Sequence, residues 1–208
     1  RVRNVAPALK DSNDALRNAA VDVTTRILSK MGVSDLDERI FAMIVDAFLE
    51  LPVAEDAAVS RLVNTAWEVL FQTGGVRLKP VIVPVASAIL WRMANKAAHV
   101  RRSAACLARL LPIAVMSCQD DQASVGAMAK VGSLLIENLN EQVPEVLASI
   151  ILALSSISDT ACSIEISTSF AAEENPIIDI ADLLPRITPI LRSKHEVVQE
   201  ACLSFVCM

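Results

Sequence analysis

The sequence is short of aromatic residues and of glycine. Of its 208 residues, five are Phe, two are Trp and none is Tyr, and only five are glycine. A sheet protein with many tight turns needs more glycine than this, because glycine adopts the backbone angles of such turns without a side-chain clash. Apolar residues nevertheless make up 53% of the chain. A core of Ala, Val, Leu and Ile favours helices that approach one another closely, so the composition predicts an all-α protein.

Paired cysteines and metal-binding clusters are missing as well. The five cysteines are an odd number and none forms a CxxC pair, which disfavours a disulfide framework and favours a reducing compartment such as the cytosol or nucleus. His99 and His195 have no Cys or carboxylate at metal-ligand spacing. Gly74-Gly75 lacks the neighbouring residues of a phosphate loop. We therefore expect no catalytic centre, no metal site, no cofactor and no small-molecule substrate.

Long hydrophobic runs are also lacking. The longest, from Pro80 to Trp91, has 12 residues and is flanked by Lys79 and Arg92, whereas a helix needs about 20 apolar residues to cross a bilayer. No signal peptide opens the chain, so we expect no membrane association. The chain begins without Met and stops at Met208 within an apolar helical pattern. We expect it to be a fragment of a longer scaffold.

The sequence does contain an internal repeat. An apolar stripe recurs at intervals of 43, 41, 46 and 52 residues. Counted from the first residue of each stripe, offsets 0, 4, 7 and 11 share one side of a helix, and all 19 of these positions are apolar. Eight of the nine positions at offsets 2 and 9, on the opposite side, are polar. A two-helix unit of about 40–47 residues is the period of HEAT and armadillo repeats. The five stripes begin at Leu16, Val59, Val100, Val146 and Val198.

Each helix that carries a stripe follows another predicted helix. One helix pair cannot bury its apolar face alone, so neighbouring pairs stack and share a continuous core. The predicted fold is an all-α HEAT-repeat α-solenoid, a right-handed superhelix of helix pairs. The preceding helices are expected at about 2–10, 35–51, 78–94, 121–140 and 177–192. The five repeats are expected at 1–32, 33–75, 76–117, 118–160 and 177–208, with a surface loop inserted at 158–175.

A run of basic residues contrasts with the net charge of −5. Between Arg92 and Arg109 there are five bases and no acid. One interpretation is an intramolecular ladder, in which a residue such as Arg101 pairs with acids of the next repeat. The other is a contact with RNA or with an acidic partner, made by Arg92, Lys96, Arg101 and Arg102.

Several stretches resemble one particular family more closely than the repeat class requires. They are VRLKP at 76–80, LWRMANK at 90–96, PEVLASI at 144–150, and DLLPRITPIL at 182–191 followed by KHE at 194–196. These stretches resemble the large HEAT-repeat subunit of splicing factor 3b. The resemblance runs in the same order along the whole chain and places it among the middle repeats of that subunit. The first 70 residues match loosely and the insertion at 158–175 is longer than the family pattern, which indicates a divergent homologue.

The resemblance implies a function and a set of partners. It implies a nuclear, non-catalytic scaffold of the U2 small nuclear ribonucleoprotein (U2 snRNP) that supports branch-site recognition in pre-mRNA splicing. The implied partners are the other splicing factor 3b subunits, U2 snRNP proteins, and RNA, either directly or through the assembled particle. In the family, later repeats and a small zinc-binding partner form the branch-point pocket, so no pocket residue is carried over to this chain.

The repeat pattern by itself leaves a second function open. HEAT arrays also serve as generic adaptors that bind protein partners, for example phosphatase scaffolds and nuclear transport receptors. The co-purifying partners of the full-length protein would separate this alternative from the splicing scaffold.

Overall fold

The protein is an array of helices in a computed structural model, which describes residues 5–31, 36–118, 120–168, 178 and 180–207. Every regular element within these ranges is helical. The α-helices are α1 (Val5–Leu9), α2 (Asp14–Met31), α3 (Glu38–Glu50), α4 (Ala57–Gly74), α5 (Lys79–Met93), α6 (Ala98–Met116), α7 (Gln122–Glu137), α8 (Pro144–Thr168), α9 (Ile180–Ile187) and α10 (Glu196–Val206). Two short 3-10 helices are η1 (Gly75–Leu78) and η2 (Ile190–Arg192).

The helices pack in two layers. The even-numbered helices from α2 to α10 contact one another in chain order and form one layer. The odd-numbered helices from α1 to α7 do the same and form the other. Contacts within the pairs α1–α2, α5–α6 and α7–α8 join the two layers. This stacking of helix pairs confirms the predicted all-α repeat solenoid.

Aspartates begin three of the helices. Asp37, Asp56 and Asp121 each accept a hydrogen bond from a backbone N–H in the first turn of α3, α4 and α7, respectively. These bonds satisfy amide groups that have no partner within the helix. The local sequence thereby fixes where each helix starts and how long the preceding connection is.

The predicted apolar stripe forms the core in the later repeats. In α8, the stripe residues Val146, Ile150, Ala153 and Ile157 are all at most 1% exposed. Their spacing brings them onto one face, which packs against α6 and α10. The stripe of α10 is buried in the same way.

The stripe predicted for the first repeat is wrong at two of its four positions, although Ala20 is buried as expected. Leu16 and Val23 are 56% and 44% exposed, respectively. The buried face of α2 is rotated and includes Val21, Thr24 and Leu28. Thr24 can take a core position because its hydroxyl donates to the Ala20 carbonyl oxygen at 2.7 Å, which satisfies the buried polar group.

The surface loop predicted at 158–175 is wrong for residues 158–168, which continue helix α8 to Thr168. Ser158, Ala161 and Ile164 are only 1%, 2% and 3% exposed, so this part of the helix belongs to the packed interior. Small Ser, Thr and Ala side chains occupy the buried face here and hide the helical period from a count of large apolar residues. Residues 169–175 lie outside the described residues.

Within the described residues, two stretches are long and apolar enough to cross a membrane by length and composition alone. They are Ala57–Met93 and Pro144–Ile164. The first is divided into α4, η1 and α5, with Gly75 at a positive φ of 51° where α4 ends. Both stretches supply side chains to the shared core of the array.

Candidate interaction surface at the basic turn

Arg92 lies inside the array. Its side chain is at the end of α5 and the residue is 7% exposed. Its Nη2 donates to the Leu49 carbonyl oxygen at 2.7 Å and lies 3.5 Å from that of Leu51, both at the C-terminal end of α3. Burial lowers the pKa of Arg92 from its ordinary value, but a guanidinium remains charged in proteins. The prediction that Arg92 is a surface contact is therefore wrong, because the side chain links two repeats.

Arg101 forms the ladder contact that one interpretation predicted. Its Nε and Nη2 donate to the two carboxylate oxygens of Glu141 at 2.7 and 3.0 Å. Its Nη1 also donates to the carbonyl oxygens of Asn95 and Lys96 at 3.0 and 2.7 Å. The guanidinium thus joins its own turn, between α5 and α6, to the turn that precedes α8. Arg101 is occupied within the chain, which supports the intramolecular interpretation for this residue.

The Glu141 carboxylate accepts hydrogen bonds from Arg101 and from two backbone amides. The hydrogen bond from Arg101 lowers the pKa of the Glu141 carboxyl, with further lowering by the amides of Val143 and Gln142, although burial acts in the opposite direction. Those two amides donate to Glu141 Oε1 at 3.0 and 2.9 Å. The same pair raises the pKa of Arg101. The carboxylate therefore stays ionised and connects successive repeats.

Similar polar contacts recur along the array at about one repeat length. Lys79 pairs with Asp121 at 3.0 Å and Lys10 with Glu50 at 2.7 Å. His99 Nδ1 lies 3.8 Å from a carboxylate oxygen of Glu55. Since Lys79 and Lys10 are about half exposed or more, these outer pairs contribute less than the well-covered Arg101–Glu141 pair.

The remaining basic side chains face solvent. Lys96, Arg102 and Arg109 are all exposed. Within the described part of the chain, none of these three side chains has an ion pair or hydrogen bond. Arg102 and Arg109 are seven residues apart on α6, which places them on one face of that helix. Lys96 and Arg102, from the predicted set, together with Arg109 form a positive surface that we call the α6 basic face.

Within the described ranges, no group of three His, Cys, Asp or Glu side chains could hold a metal ion. Cys118 and Cys202 have pKa values raised by burial, which disfavours the reactive thiolate. The arrangement offers surfaces for binding, built on a frame of contacts between repeats.

The fold and these surfaces define a class of protein, the helical-repeat solenoid. A designed armadillo repeat protein in complex with the peptide (KR)4 aligns with 99% of this chain and 80% of its own, at 13% identity and a TM-score of 0.58. A second engineered protein aligns with 99% of this chain and 46% of its own, at 15% identity and a TM-score of 0.55. At such low identity, the likeness shows the fold alone.

Curated relatives narrow the class to a family. The U2 snRNP component prp10 of Schizosaccharomyces pombe is 33% identical over 205 residues, which is 99% of this chain and 16% of that protein. The U2 snRNP component HSH155 of Saccharomyces cerevisiae is 31% identical over 198 residues, which is 95% of this chain and 19% of that protein. No protein-family model matches the chain. The chain is a divergent homologue of one segment of these U2 snRNP components, which confirms the resemblance to the large subunit of splicing factor 3b.

Proposed function

We propose that the chain is a non-catalytic scaffold segment of the U2 snRNP-associated splicing factor 3b complex and supports branch-site recognition in pre-mRNA splicing, in the nucleus. One observation carries the proposal: the similarity to two U2 snRNP components extends over 99% and 95% of the chain. The chain spans less than a fifth of the length of either relative, so the role in the complex is proposed for this segment alone.

The contacts between repeats suit a scaffold. Arg92 and Arg101 each reach a neighbouring repeat, and each contact uses a charged donor. Charge-assisted bonds of this kind are stronger and more directional than neutral ones. They fix how one helix pair sits on the next, so surfaces on different repeats keep their relative positions. The partners that these surfaces hold are, in this proposal, other splicing factor 3b subunits and U2 snRNP proteins.

RNA contact is proposed for the α6 basic face. Lys96, Arg102 and Arg109 are exposed and have no carboxylate partner among the described residues, so their charges are available to phosphate groups. Such contacts are independent of base sequence. They weaken as the salt concentration rises, because binding releases counterions from the RNA and added salt opposes that release. Arg92 and Arg101 take no part, since both are engaged within the chain.

Charge reversal tests the RNA contact. The variants Lys96→Glu, Arg102→Glu and Arg109→Glu in combination should weaken binding of a single-stranded RNA to the chain and leave helicity unchanged. Each lost phosphate contact should reduce the slope of log K against log salt by about 0.7. The matched control is the triple variant Lys30→Glu/Lys130→Glu/Lys194→Glu, which reverses three exposed bases outside this face and changes the net charge by the same amount. Equal binding by both variants would show that the α6 basic face is only solvated.

Depletion of the protein in its own cells tests the splicing role. RNA sequencing should then show retained introns. The introns that are still removed should show altered branch-site use. If introns are removed normally while protein phosphorylation or nuclear import changes, the result supports a generic adaptor function and contradicts the splicing role.

A further inference from the structure

A groove opens between α3 and α5 in the odd-numbered layer. Its volume is about 540 Å³. Along this layer, α3 and α5 touch over a short stretch, whereas α5 and α7 pack along much more of their length. The gap between α3 and α5 therefore exposes side chains of a kind that is covered where α5 packs against α7.

Two arginines bond α5 and its leading turn to the two ends of α3, and one of them, Arg77, also lines the groove. Arg77 Nη1 donates to the Leu36 carbonyl oxygen at 2.6 Å, just before α3 begins. At the other end, Arg92 Nη2 donates to the Leu49 carbonyl oxygen at 2.7 Å. These bonds tie α5 and its leading turn to both ends of α3 and set the distance between the helices. The groove is thus a built feature of the array, and a ligand can enter it without separating the repeats.

The floor and rim of the groove are apolar. Phe41, Val45 and Val81 line it and are at most 6% exposed. Val76, at the mouth, is 76% exposed. Val76 therefore gains free energy when a partner covers it, whereas the other three side chains form a floor that is already almost fully covered.

The apolar surface continues beyond the groove on the same two helices. Pro84 lines the groove, and Trp91 follows it by seven residues on the same face of α5. Trp91 is 72% exposed and Met43 on α3 is 45% exposed. Exposed Trp side chains often supply much of the free energy of a protein interface. This extended surface fits a partner longer than a single side chain.

The charge left available at the groove is negative. Glu38 and Asp46 line its α3 wall and, within the described residues, have neither an ion pair nor a hydrogen bond from their side chains. On the α5 side, Lys79 pairs with Asp121, whereas Arg77 keeps its positive charge while it donates to the neutral Leu36 carbonyl oxygen. The two carboxylates of the α3 wall outnumber this single charge, so the lining is net negative. A ligand that carries positive charge next to apolar side chains complements this wall.

We propose that the α3–α5 groove binds an amphipathic helix of a partner protein, with large apolar side chains on one face and Lys or Arg on its flank. The apolar face enters between Val45 and Val81, and the basic flank meets Glu38 and Asp46. Helix α3 has 13 residues, so it is about 20 Å long and accommodates a partner helix of about three to four turns. This proposal does not depend on the splicing role.

The test uses the 208-residue chain and a fluorescent 14-residue helical peptide of Leu and Lys in an amphipathic pattern. Fluorescence anisotropy should show saturable binding, and a Leu/Glu peptide of the same pattern should bind at least about tenfold more weakly, since a tenfold change is 1.4 kcal/mol. The double variant Glu38→Lys/Asp46→Lys should lose about tenfold in affinity, as should Trp91→Ala.

Matched controls separate the groove from general attraction to an acidic protein. Glu137→Lys and Glu200→Lys reverse two exposed acids on α7 and α10, outside the groove, and should leave the affinity within about twofold. Circular dichroism establishes that each variant is folded.

Three outcomes would overturn the proposal. The first is absence of saturable binding by the folded wild-type chain. The second is an equal loss of affinity in the control variants. The third is concentration-dependent dimerisation in sedimentation that Trp91→Ala abolishes, because the groove region would then be an interface between two copies of this chain.

Discussion

Arg101 and Glu141 form a two-pronged ion pair across successive repeats, with N–O distances of 2.7 and 3.0 Å. Their side chains are 16% and 9% exposed, respectively. Removal of the guanidinium leaves the carboxylate poorly solvated and deprives two carbonyl oxygens of a donor.

Arg101→Ala should therefore destabilise the chain by about 2 kcal/mol, the typical loss for a hydrogen bond to a charged group. Urea unfolding followed by circular dichroism measures the change. Arg102→Ala, one residue along and exposed, is the control and should change stability by less than about 0.5 kcal/mol. Equal effects of the two substitutions would contradict the assigned role of Arg101.

Acid should weaken the same contact. The folded-state pKa of Glu141 is lowered by Arg101, so its contribution is fully present above the unfolded-state pKa of about 4.3. The contribution is lost as pH falls through the lower, folded-state pKa. Stability of the wild-type chain should therefore fall more steeply below about pH 4.3 than that of Glu141→Gln. Parallel stability curves for the two proteins in this range would show that the pair does not titrate as described.

Charge reversal should lower the stability of the chain at Arg92 and leave it nearly unchanged at Arg102. Arg92→Glu places a carboxylate beside the carbonyl oxygens of Leu49 and Leu51 in a nearly closed site, with a cost of about 3 kcal/mol or more. The melting temperature should fall by about 10 °C, since 1 kcal/mol shifts a chain of this size by about 2–4 °C. Arg102→Glu should leave it nearly unchanged. Thermal melts in which both variants behave alike would contradict the burial of Arg92.

Ser158 offers a stabilising substitution. Its hydroxyl oxygen is buried and, within the described residues, has no hydrogen-bond partner. Ser158→Ala removes an unsatisfied polar group from the core of α8 and should raise stability by about 1 kcal/mol. Ile164→Asp, six residues further on, should lower it by about 3 kcal/mol because Ile164 is 3% exposed. Chemical denaturation of both variants measures these changes. If neither substitution alters stability, the prediction of a surface loop at these residues would be supported over the buried helix.

The period of the fold could be predicted from sequence because its apolar stripes recur in α8 and α10, where the packing matches the count of large side chains. The same count failed in α2, where Thr24 enters the core through a hydrogen bond to Ala20. It also failed beyond Ser158, where small side chains fill the space between closely packed helices. Size and polarity of a residue do not reveal such positions.

The basic cluster was predicted as a group, but its division between interior and surface was not. Arg92 bonds to backbone carbonyl oxygens 43 and 41 residues earlier, and every residue has such an oxygen, so the sequence carries no signal for this contact. Arg101 and Glu141 are 40 residues apart, and that spacing is visible once the repeat is known. The groove could not be predicted, because it depends on the distance between α3 and α5.

Affinity purification of the full-length protein from its own cells, with sequencing of the bound RNA, shows whether the protein belongs to the U2 snRNP. We expect strong enrichment of U2 small nuclear RNA together with splicing factor 3b subunits. Recovery of a phosphatase catalytic subunit or a small GTPase, with U2 RNA at background level, would contradict this assignment.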